Sequence, residues 1–159
     1  MRSTLWKGFG FGITSGVITT LGVISGLHTG THSKLAVLAG IIVLAISDAL
    51  SDAMGIHVSE EAEMEHTTKE LWESSFFTFT SKLIFTLTFI FPVLFLELHA
   101  AIIVSVLWGL FLIMLFSFYM AKSQKQNHYK VIAEHIFITI LVVLLTHYTG
   151  DLIYEVFRS

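Results

Sequence analysis

The chain has 159 residues, of which 54% are hydrophobic and only 13% are charged, and its formal net charge is −3. Ordinary soluble domains contain about 25% charged residues, and a fold of this length has too little interior to hide so much apolar surface from water. This composition excludes a soluble globular enzyme, a disordered tail and a nucleic-acid-binding protein with a basic face. The chain also contains no cysteine, which excludes disulfides and thiolate metal sites.

Five apolar stretches follow one another along the chain, and each is long enough for a bilayer core, which takes about 20 residues of helix. They cover residues 8–27, 35–56, 76–96, 100–121 and 131–149. The sequence therefore predicts an all-α polytopic membrane protein with five transmembrane helices, a single domain over residues 1–159. Most links are short, so consecutive helices are antiparallel neighbours. The longer link, 57–75, is acidic and is predicted to continue the second helix beyond the membrane.

The basic residues predict the orientation, because cytoplasmic segments carry an excess of lysine and arginine. With the N-terminus in the cytoplasm, six basic residues lie in inner segments and two in outer segments. The inner ones are Arg2, Lys7, Lys69, Lys122, Lys125 and Lys130, and the outer ones are Lys34 and Arg158. The segment 57–75 is then cytoplasmic, and the C-terminus lies outside or in a lumen. In a prokaryote this membrane would be the cell membrane.

The first predicted span carries glycines at four-residue spacing, at Gly8, Gly12 and Gly16. Small residues at this spacing let two membrane helices approach closely. The glycines serve either packing within the chain or a seam between two copies. Five helices alone rarely enclose a polar pathway, so we favour a homodimer that meets along this face.

Two carboxylates, Asp48 and Asp52, lie one helical turn apart in the second span and share a face that Ser51 borders. Each costs at least about 2.5–3.5 kcal/mol in the middle of a bilayer. Acids in membrane helices usually mark an ion or proton path, and their oxygens suit Mn²⁺, Fe²⁺, Ca²⁺ or a proton. The alternative is a structural pair that only fixes the packing of the helix.

The acidic link contains the pattern E-x-x-H at Glu63 and His66, which ferritin-like carboxylate proteins use to bind iron. If the second helix continues through the link, Glu70 and Glu73 fall on the same face as this pair. Imidazole and carboxylate together suit Fe²⁺, Mn²⁺ or Zn²⁺. The segment is therefore either a metal site, which two copies of the chain would complete, or a solvated acidic helix.

Four other polar or sulfur-containing residues lie in or beside the spans. Met54 and His57, near the end of the second span, are candidates for ligand or relay roles, with packing as the alternative. Glu134 lies one turn into the fifth span and is expected either to reach the interface or to shuttle protons. Lys82, in the third span, is expected to reach the interface or to pair with an acid.

Several stretches resemble the vacuolar iron transporter family. The most specific are SGVITTLGVISGL (Ser15–Leu27) and SDALSDAMGIHVSEEAEMEH (Ser47–His66), and a weaker similarity covers Ala121–His135 and Thr146–Ile153. The resemblance implies a homodimer that exports Fe²⁺ or Mn²⁺ from the cytoplasm by proton exchange. It also implies an ion path along the dimer interface, lined by the first two spans.

The chain departs from the family pattern at three positions and in one segment. The family's aspartate in the first span falls on Ser15, its methionine in the second span on Asp52, and its tyrosine on His57. The cytoplasmic metal-binding domain of the family is mostly missing, so the chain resembles a short form. A carboxylate in place of a thioether would favour Mn²⁺ or Fe²⁺ over softer ions.

These features predict a divalent-metal transporter rather than an enzyme, with no permanent cofactor and no nucleic-acid partner. No ATP-binding G-x-x-x-x-G-K-[ST] motif occurs, so transport would run on a gradient or on the energy of a partner protein, and the family resemblance implies proton exchange. The predicted transport path comprises Asp48, Asp52, Ser15, Ser51, His57 and Glu134. The predicted metal-binding residues are Asp48, Asp52, Met54, Glu63, His66 and Glu70. The alternatives are a membrane-anchored metal-binding or iron-oxidising protein without transport, and a scaffold without chemistry.

Overall fold

The computed structural model describes residues 3–158, which form six α-helices and no β-strand. The helices are α1 (Ser3–Thr31), α2 (Lys34–Ala62), α3 (Thr68–Thr88), α4 (Ile90–Phe95), α5 (Leu98–Ser123) and α6 (His128–Phe157). Five segments are long and apolar enough to cross a membrane, because α3 and α4 together make one span, Thr68–Phe95. The prediction of an all-α protein with five spans is confirmed.

The third span is interrupted at Phe89, between α3 and α4. Pro92 follows three residues later and has no backbone N–H to donate to the carbonyl of Thr88, four residues before it. The backbone N–H of Phe89 instead donates to the carbonyl of Thr86 over 3.2 Å, which tightens the last turn of α3. The helical hydrogen-bond pattern is therefore interrupted before the proline, and the span continues as α4.

The helix α1 lies at the centre of the bundle and packs against α2, α3, α5 and α6. Its residues Ile13, Val17, Leu21 and Ile24 are buried and form the middle of the apolar core. The helices α2 and α6 lie at the periphery, and most of their large apolar side chains point outward. Such an outer surface suits lipid, because apolar side chains need no water there. Only the backbone polar groups need hydrogen-bond partners, and the helices supply these internally.

The glycine stripe of α1 packs against α3 of the same chain. A Cβ atom at Gly8 would overlap the backbone carbonyl of Ser74, and one at Gly12 would overlap the Ser81 hydroxyl. At Gly16 a Cβ would come within 3.1 Å of Lys82 Cγ. The interpretation of these glycines as a homodimer seam is wrong, because α3 covers that face. The alternative interpretation, that these glycines serve packing within the chain, is correct. A dimer that forms through another face stays a prediction.

The acidic link does not continue α2 as one helix, so that prediction is wrong. The helix α2 ends at Ala62, and Met64 adopts a left-handed conformation (φ 53°) that reverses the chain. A capping box then starts α3: the backbone N–H of Glu70 donates to Thr67 Oγ1, and the Thr67 N–H donates to the Glu70 carboxylate. The two spans therefore form a hairpin with a short turn, 63–67.

Candidate functional site

Three charged side chains meet near the midpoints of the second and third spans, and we call them the central triad: Asp48, Asp52 and Lys82. Lys82 comes from α3, and none of its side chain is exposed. Its ammonium nitrogen lies 2.5 Å from Asp48 Oδ2 and also contacts Asp52 Oδ2. The pairing of Lys82 with an acid is confirmed. The expectation that it reaches the interface is wrong, because its buried ammonium group is held by both aspartates.

Hydroxyl groups of α1 complete the polar contacts of the central triad. Ser15 Oγ donates to Asp52 Oδ2 over 2.6 Å and accepts from the Lys82 ammonium over 2.9 Å. Thr19 Oγ1, one turn further along α1, lies 3.1 Å from Asp48 Oδ2 and donates to it. The triad is therefore held by three helices, and each N–H of the ammonium group has an acceptor.

The packing of α1 on α3 leaves room for Lys82 to reach α2. The side-chain stem of Lys82 lies against Gly16, where any larger residue would compress it. The two aspartate side chains keep 25% and 19% of their surface exposed, whereas the lysine keeps none. One ammonium and two carboxylates leave a net charge of −1 at this depth. Burying such a group is stable only because its charges are paired and hydrogen-bonded.

A second cluster lies at the end of the bundle that carries the turn between α2 and α3. We call it the acidic-end cluster, and it consists of Lys7, Glu60, Glu63 and His66. The Lys7 ammonium nitrogen lies 3.2 Å from Glu60 Oε1 and 3.2 Å from Glu63 Oε2. The His66 Nε2 atom lies 2.9 Å from Glu60 Oε2 and 3.6 Å from Glu63 Oε2.

Glu60, Glu63 and His66 have the geometry of a metal-binding group. Their donor atoms all lie within 4.8 Å of one another, and no other group of three among residues 3–158 meets that condition. Only 4% of the Glu60 side chain is exposed, and neither Glu60 Oε2 nor His66 Nε2 has a hydrogen-bond partner although they lie 2.9 Å apart. Their contact lacks hydrogen-bond geometry, so both atoms remain available as ligands to an ion that binds between the three side chains.

A groove connects the central triad with the opposite end of the bundle. It has a volume of about 630 Å³ and runs between α2 and α6, with Thr19, Gly22 and Gly26 of α1 among its lining residues. Asp48 lines its inner end, and Gly150 and Ile153 of α6 line the part near the other end. The exposed edge of Asp48 therefore faces an open surface groove that extends away from the acidic-end cluster.

No protein-family model and no curated protein sequence matches this chain. The resemblance to the vacuolar iron transporter family therefore stays a prediction. The function must be argued from the side chains themselves.

The structure brings together five of the residues that the sequence singled out. Ser15, Asp48 and Asp52 meet in the central triad and its hydroxyl shell, and Glu63 and His66 meet in the acidic-end cluster. Glu63 is the C-cap of α2 and His66 lies in the turn that follows, so the two residues of the E-x-x-H pattern meet although the helix ends at Ala62. The helix face predicted for Glu63, His66, Glu70 and Glu73 does not exist as one surface.

Three candidate residues of α2 lie apart from both clusters. Ser51 is exposed, and Met54 is 55% exposed on the outer side of the helix. Met54 comes two residues after Asp52, which rotates it to the opposite side of the helix. The His57 Nδ1 atom lies 3.1 Å from Ser75 Oγ, and its ring packs on Trp72.

The last two candidates also lie apart from the clusters. Glu134 is exposed on α6, with its carboxylate 3.8 Å from the Lys130 ammonium group. The Glu70 carboxylate accepts hydrogen bonds from the backbone and hydroxyl of Thr67 and so helps to start α3. Glu70 lies in α3 and not on an extension of α2, because the chain turns at residues 63–67. The sequence prediction had one continuous helix here.

Sequence reasoning missed three residues of the clusters and their hydroxyl shell, Lys7, Thr19 and Glu60, and it left open which acid Lys82 contacts. Glu60 carried a signal, because it precedes Glu63 by three residues and so shares its helix face. Thr19 carried one too, since it follows Ser15 by one turn. The roles of Lys82 and Lys7 depend on how separate helices align, and no spacing within one helix reveals that.

Proposed function

We propose that this chain is a membrane carrier that exports a divalent transition-metal ion, Fe²⁺ or Mn²⁺, from the cytoplasm in exchange for protons. The excess of basic residues on one side supports an orientation with the N-terminus and the acidic-end cluster in the cytoplasm. The five apolar helices support an integral membrane location.

One observation carries the proposal: α2 holds metal-type ligands at its end and carboxylates at its midpoint. Asp52 and Glu60 are eight residues apart, which is about 12 Å along a helix, and Asp48 is about 6 Å further. The groove then continues from Asp48 toward the other end. A purely structural ion pair in the membrane would not need a second, incompletely bonded set of ligands at the end of the same helix.

The acidic-end cluster would receive the ion. Its two carboxylates and one imidazole suit Fe²⁺ or Mn²⁺, which accept mixed oxygen and nitrogen ligands. Glu60 is the central ligand in this proposal, because its carboxylate is buried and one oxygen lacks a hydrogen bond. Lys7 contacts the same two carboxylates and is 43% exposed, so it can move into water when an ion binds.

The central triad would pass the ion across the middle of the membrane. Asp48 and Asp52 supply oxygens at that depth, and carboxylates in membrane helices can also carry the exchanged protons. Movement of metal and protons in opposite directions needs no ATP, which agrees with the absence of an ATP-binding motif from the sequence.

A second copy of the chain would close the groove between α2 and α6, which is lined mainly by apolar residues. The chain has no cysteine, so single cysteines introduced at Leu44 and Ile153 would report this contact by disulfide cross-linking. A cysteine at Leu107, on the outer surface of α5, is the matched control. Cross-linked dimers at the groove positions alone would support the dimer, and equal cross-linking at all three would contradict it.

The decisive experiment measures Mn²⁺ flux into proteoliposomes together with the internal pH. We expect the wild type to move Mn²⁺ and protons in opposite directions, and the variant Asp48→Ala/Asp52→Ala to move neither. Glu60→Gln is expected to reduce the apparent Mn²⁺ affinity by about tenfold or more, because even loss of an outer-shell partner of a metal ligand typically costs about 10–100-fold. Glu61→Gln, which changes an exposed acid outside the cluster, should transport normally. Normal flux in the double alanine variant would contradict the proposal.

The second candidate is a membrane-anchored metal-binding protein without transport. It is favoured by the pairing of Lys82 with both aspartates, which leaves the acidic-end cluster as the group with open ligand atoms. Tight Mn²⁺ binding by a protein that shows no flux would select it. An iron-oxidising form has less support, because two-iron centres use two E-x-x-H pairs and one chain supplies one.

A further inference from the structure

We infer that the Lys82 ammonium group is a built-in competitor of the metal ion at the central triad. The divalent ion binds Asp48 and Asp52 only when Lys82 leaves them, and Lys82 returns when the ion departs. The inference rests on the proposed function for the divalent ion and its binding at Asp48 and Asp52, but not for transport.

The contacts of Lys82 leave no room for a second cation at the same oxygens. Its ammonium group contacts the Oδ2 atoms of both Asp48 and Asp52. Ser15 Oγ accepts a third hydrogen bond over 2.9 Å. A metal ion shared by the two aspartates would occupy the place where this nitrogen lies.

The charges lead to the same conclusion. With Lys82 in place the triad carries −1, and a divalent ion added to it would give +1 in a buried region. With Lys82 displaced, the ion and the two carboxylates sum to zero. Because like charges at contact distance repel strongly where water is scarce, the lysine and the ion exclude each other.

The surroundings of Lys82 allow it to move without leaving the protein. Its four-carbon stem is flexible, so the ammonium group can swing away from both aspartates when an ion takes the carboxylates. Gly16 leaves the stem free of a facing side chain on α1.

The test measures Mn²⁺ binding by the purified full-length chain in detergent, from the loss of the electron paramagnetic resonance signal of free Mn²⁺. We expect Lys82→Met to bind Mn²⁺ about tenfold tighter than the wild type at the exposed carboxylate pair. Lys82→Arg, which keeps the charge, should show no gain. The gain should vanish in Lys82→Met/Asp48→Asn/Asp52→Asn, where the acidic-end cluster is intact. Unchanged affinity in Lys82→Met would overturn the inference.

A measurement on the wild type keeps the test decisive if Lys82→Met does not fold. Dicyclohexylcarbodiimide activates carboxyl groups in membranes, and an amine in contact then forms an amide, with loss of the oxygen as a urea. Mass spectrometry would quantify the amide between Lys82 and Asp48 or Asp52. We expect saturating Mn²⁺ to lower the yield of this amide. The same yield with and without Mn²⁺ would overturn the inference.

The outcomes separate this inference from the proposed function. If the wild type shows no flux but Lys82→Met gains Mn²⁺ affinity through Asp48 and Asp52, the competition stands and the transport proposal fails. If the wild type transports Mn²⁺ but neither Lys82→Met nor amide formation responds to the ion, transport stands and Lys82 has only a structural role.

Discussion

Lys82 and Lys7 each contact two carboxylates, Lys82 near the middle of α2 and Lys7 at the acidic end, where α2 and its C-cap supply one each. Lys82 is fully buried, whereas 43% of the Lys7 side chain is exposed. Two unit charges 4 Å apart interact by about 1 kcal/mol in water and about 4 kcal/mol at the effective dielectric constant of a protein surface. A contact between a lysine and two carboxylates therefore contributes more energy at the buried site than at the exposed one.

The difference assigns the two lysines different tasks. At the acidic end, water replaces the contacts of Lys7 at little cost, so the carboxylates are available to another cation. In the central triad no water replaces Lys82, so its departure needs a compensating positive charge in the same place. The acidic-end cluster can thus accept another cation readily, whereas the central triad accepts one only in exchange for Lys82. The two clusters lie at different depths along α2.

The largest effect is expected from Lys82→Met, which leaves two carboxylates in the bundle without their partner. Removing one partner of a buried ion pair typically costs about 3–5 kcal/mol. We expect a large drop in the midpoint of thermal unfolding in detergent. Added Mn²⁺ should recover part of this loss, because the ion replaces the missing charge.

The matched control is Lys82→Met/Asp52→Asn, which removes one negative charge together with the positive one. It should be clearly more stable than Lys82→Met alone, since the remaining Asp48 keeps the hydroxyl of Thr19. If both variants unfold at the wild-type temperature, the buried contacts of Lys82 contribute no more to stability than the exposed contacts of Lys7.

A smaller effect is expected from Gly12→Val, which acts on the central triad through helix packing. The new side chain would meet the Ser81 hydroxyl and the Thr78 carbonyl and push α1 away from α3. Overpacking of this kind costs about 1–3 kcal/mol. Thermal unfolding of the purified protein would measure it.

Gly55→Ala is the control for helix packing, because no atom lies within 4 Å of a Cβ at that position. It should be as stable as the wild type or up to about 1 kcal/mol more stable, because alanine favours a helix interior over glycine. Equal effects of the two substitutions would show that contact with α3 is not what requires glycine at residue 12.

The smallest effect is expected from Lys7→Met. An exposed ion pair contributes about 0–1 kcal/mol, so the unfolding midpoint should hardly change. A loss as large as that of Lys82→Met would contradict the contrast between the two depths.

The spans were predictable from the sequence because a long, continuous apolar stretch crosses lipid as an α-helix, which satisfies its own backbone hydrogen bonds. Asp48 and Asp52 stood out because acids are costly there. The partner of the glycine stripe was not predictable, since spacing indicates a close approach but not which helix approaches. Lys82 was ambiguous for the same reason: its register against α2 arises from contacts between helices.

The turn at residues 63–67 shows a signal that was present and overlooked. Thr67 and Glu70 form a Thr-x-x-Glu pattern, which is typical of a helix start. Recognising it would have divided the acidic link and separated Glu70 from Glu63. It would not have placed Glu60 beside His66, because a side chain from the turn must fold back on α2 to make that contact.

The short turn between α2 and α3 has a consequence for how the protein is made. On the insertion scale each central charge costs about 2.5–3.5 kcal/mol when its helix enters the bilayer alone. Asp48 and Asp52 are synthesised before Lys82, so α2 would carry two unpaired acids if it entered first. Entry of α2 and α3 together as a hairpin brings the three charges into the membrane already paired. We therefore expect the translocation machinery to hold α2 until Lys82 has left the ribosome.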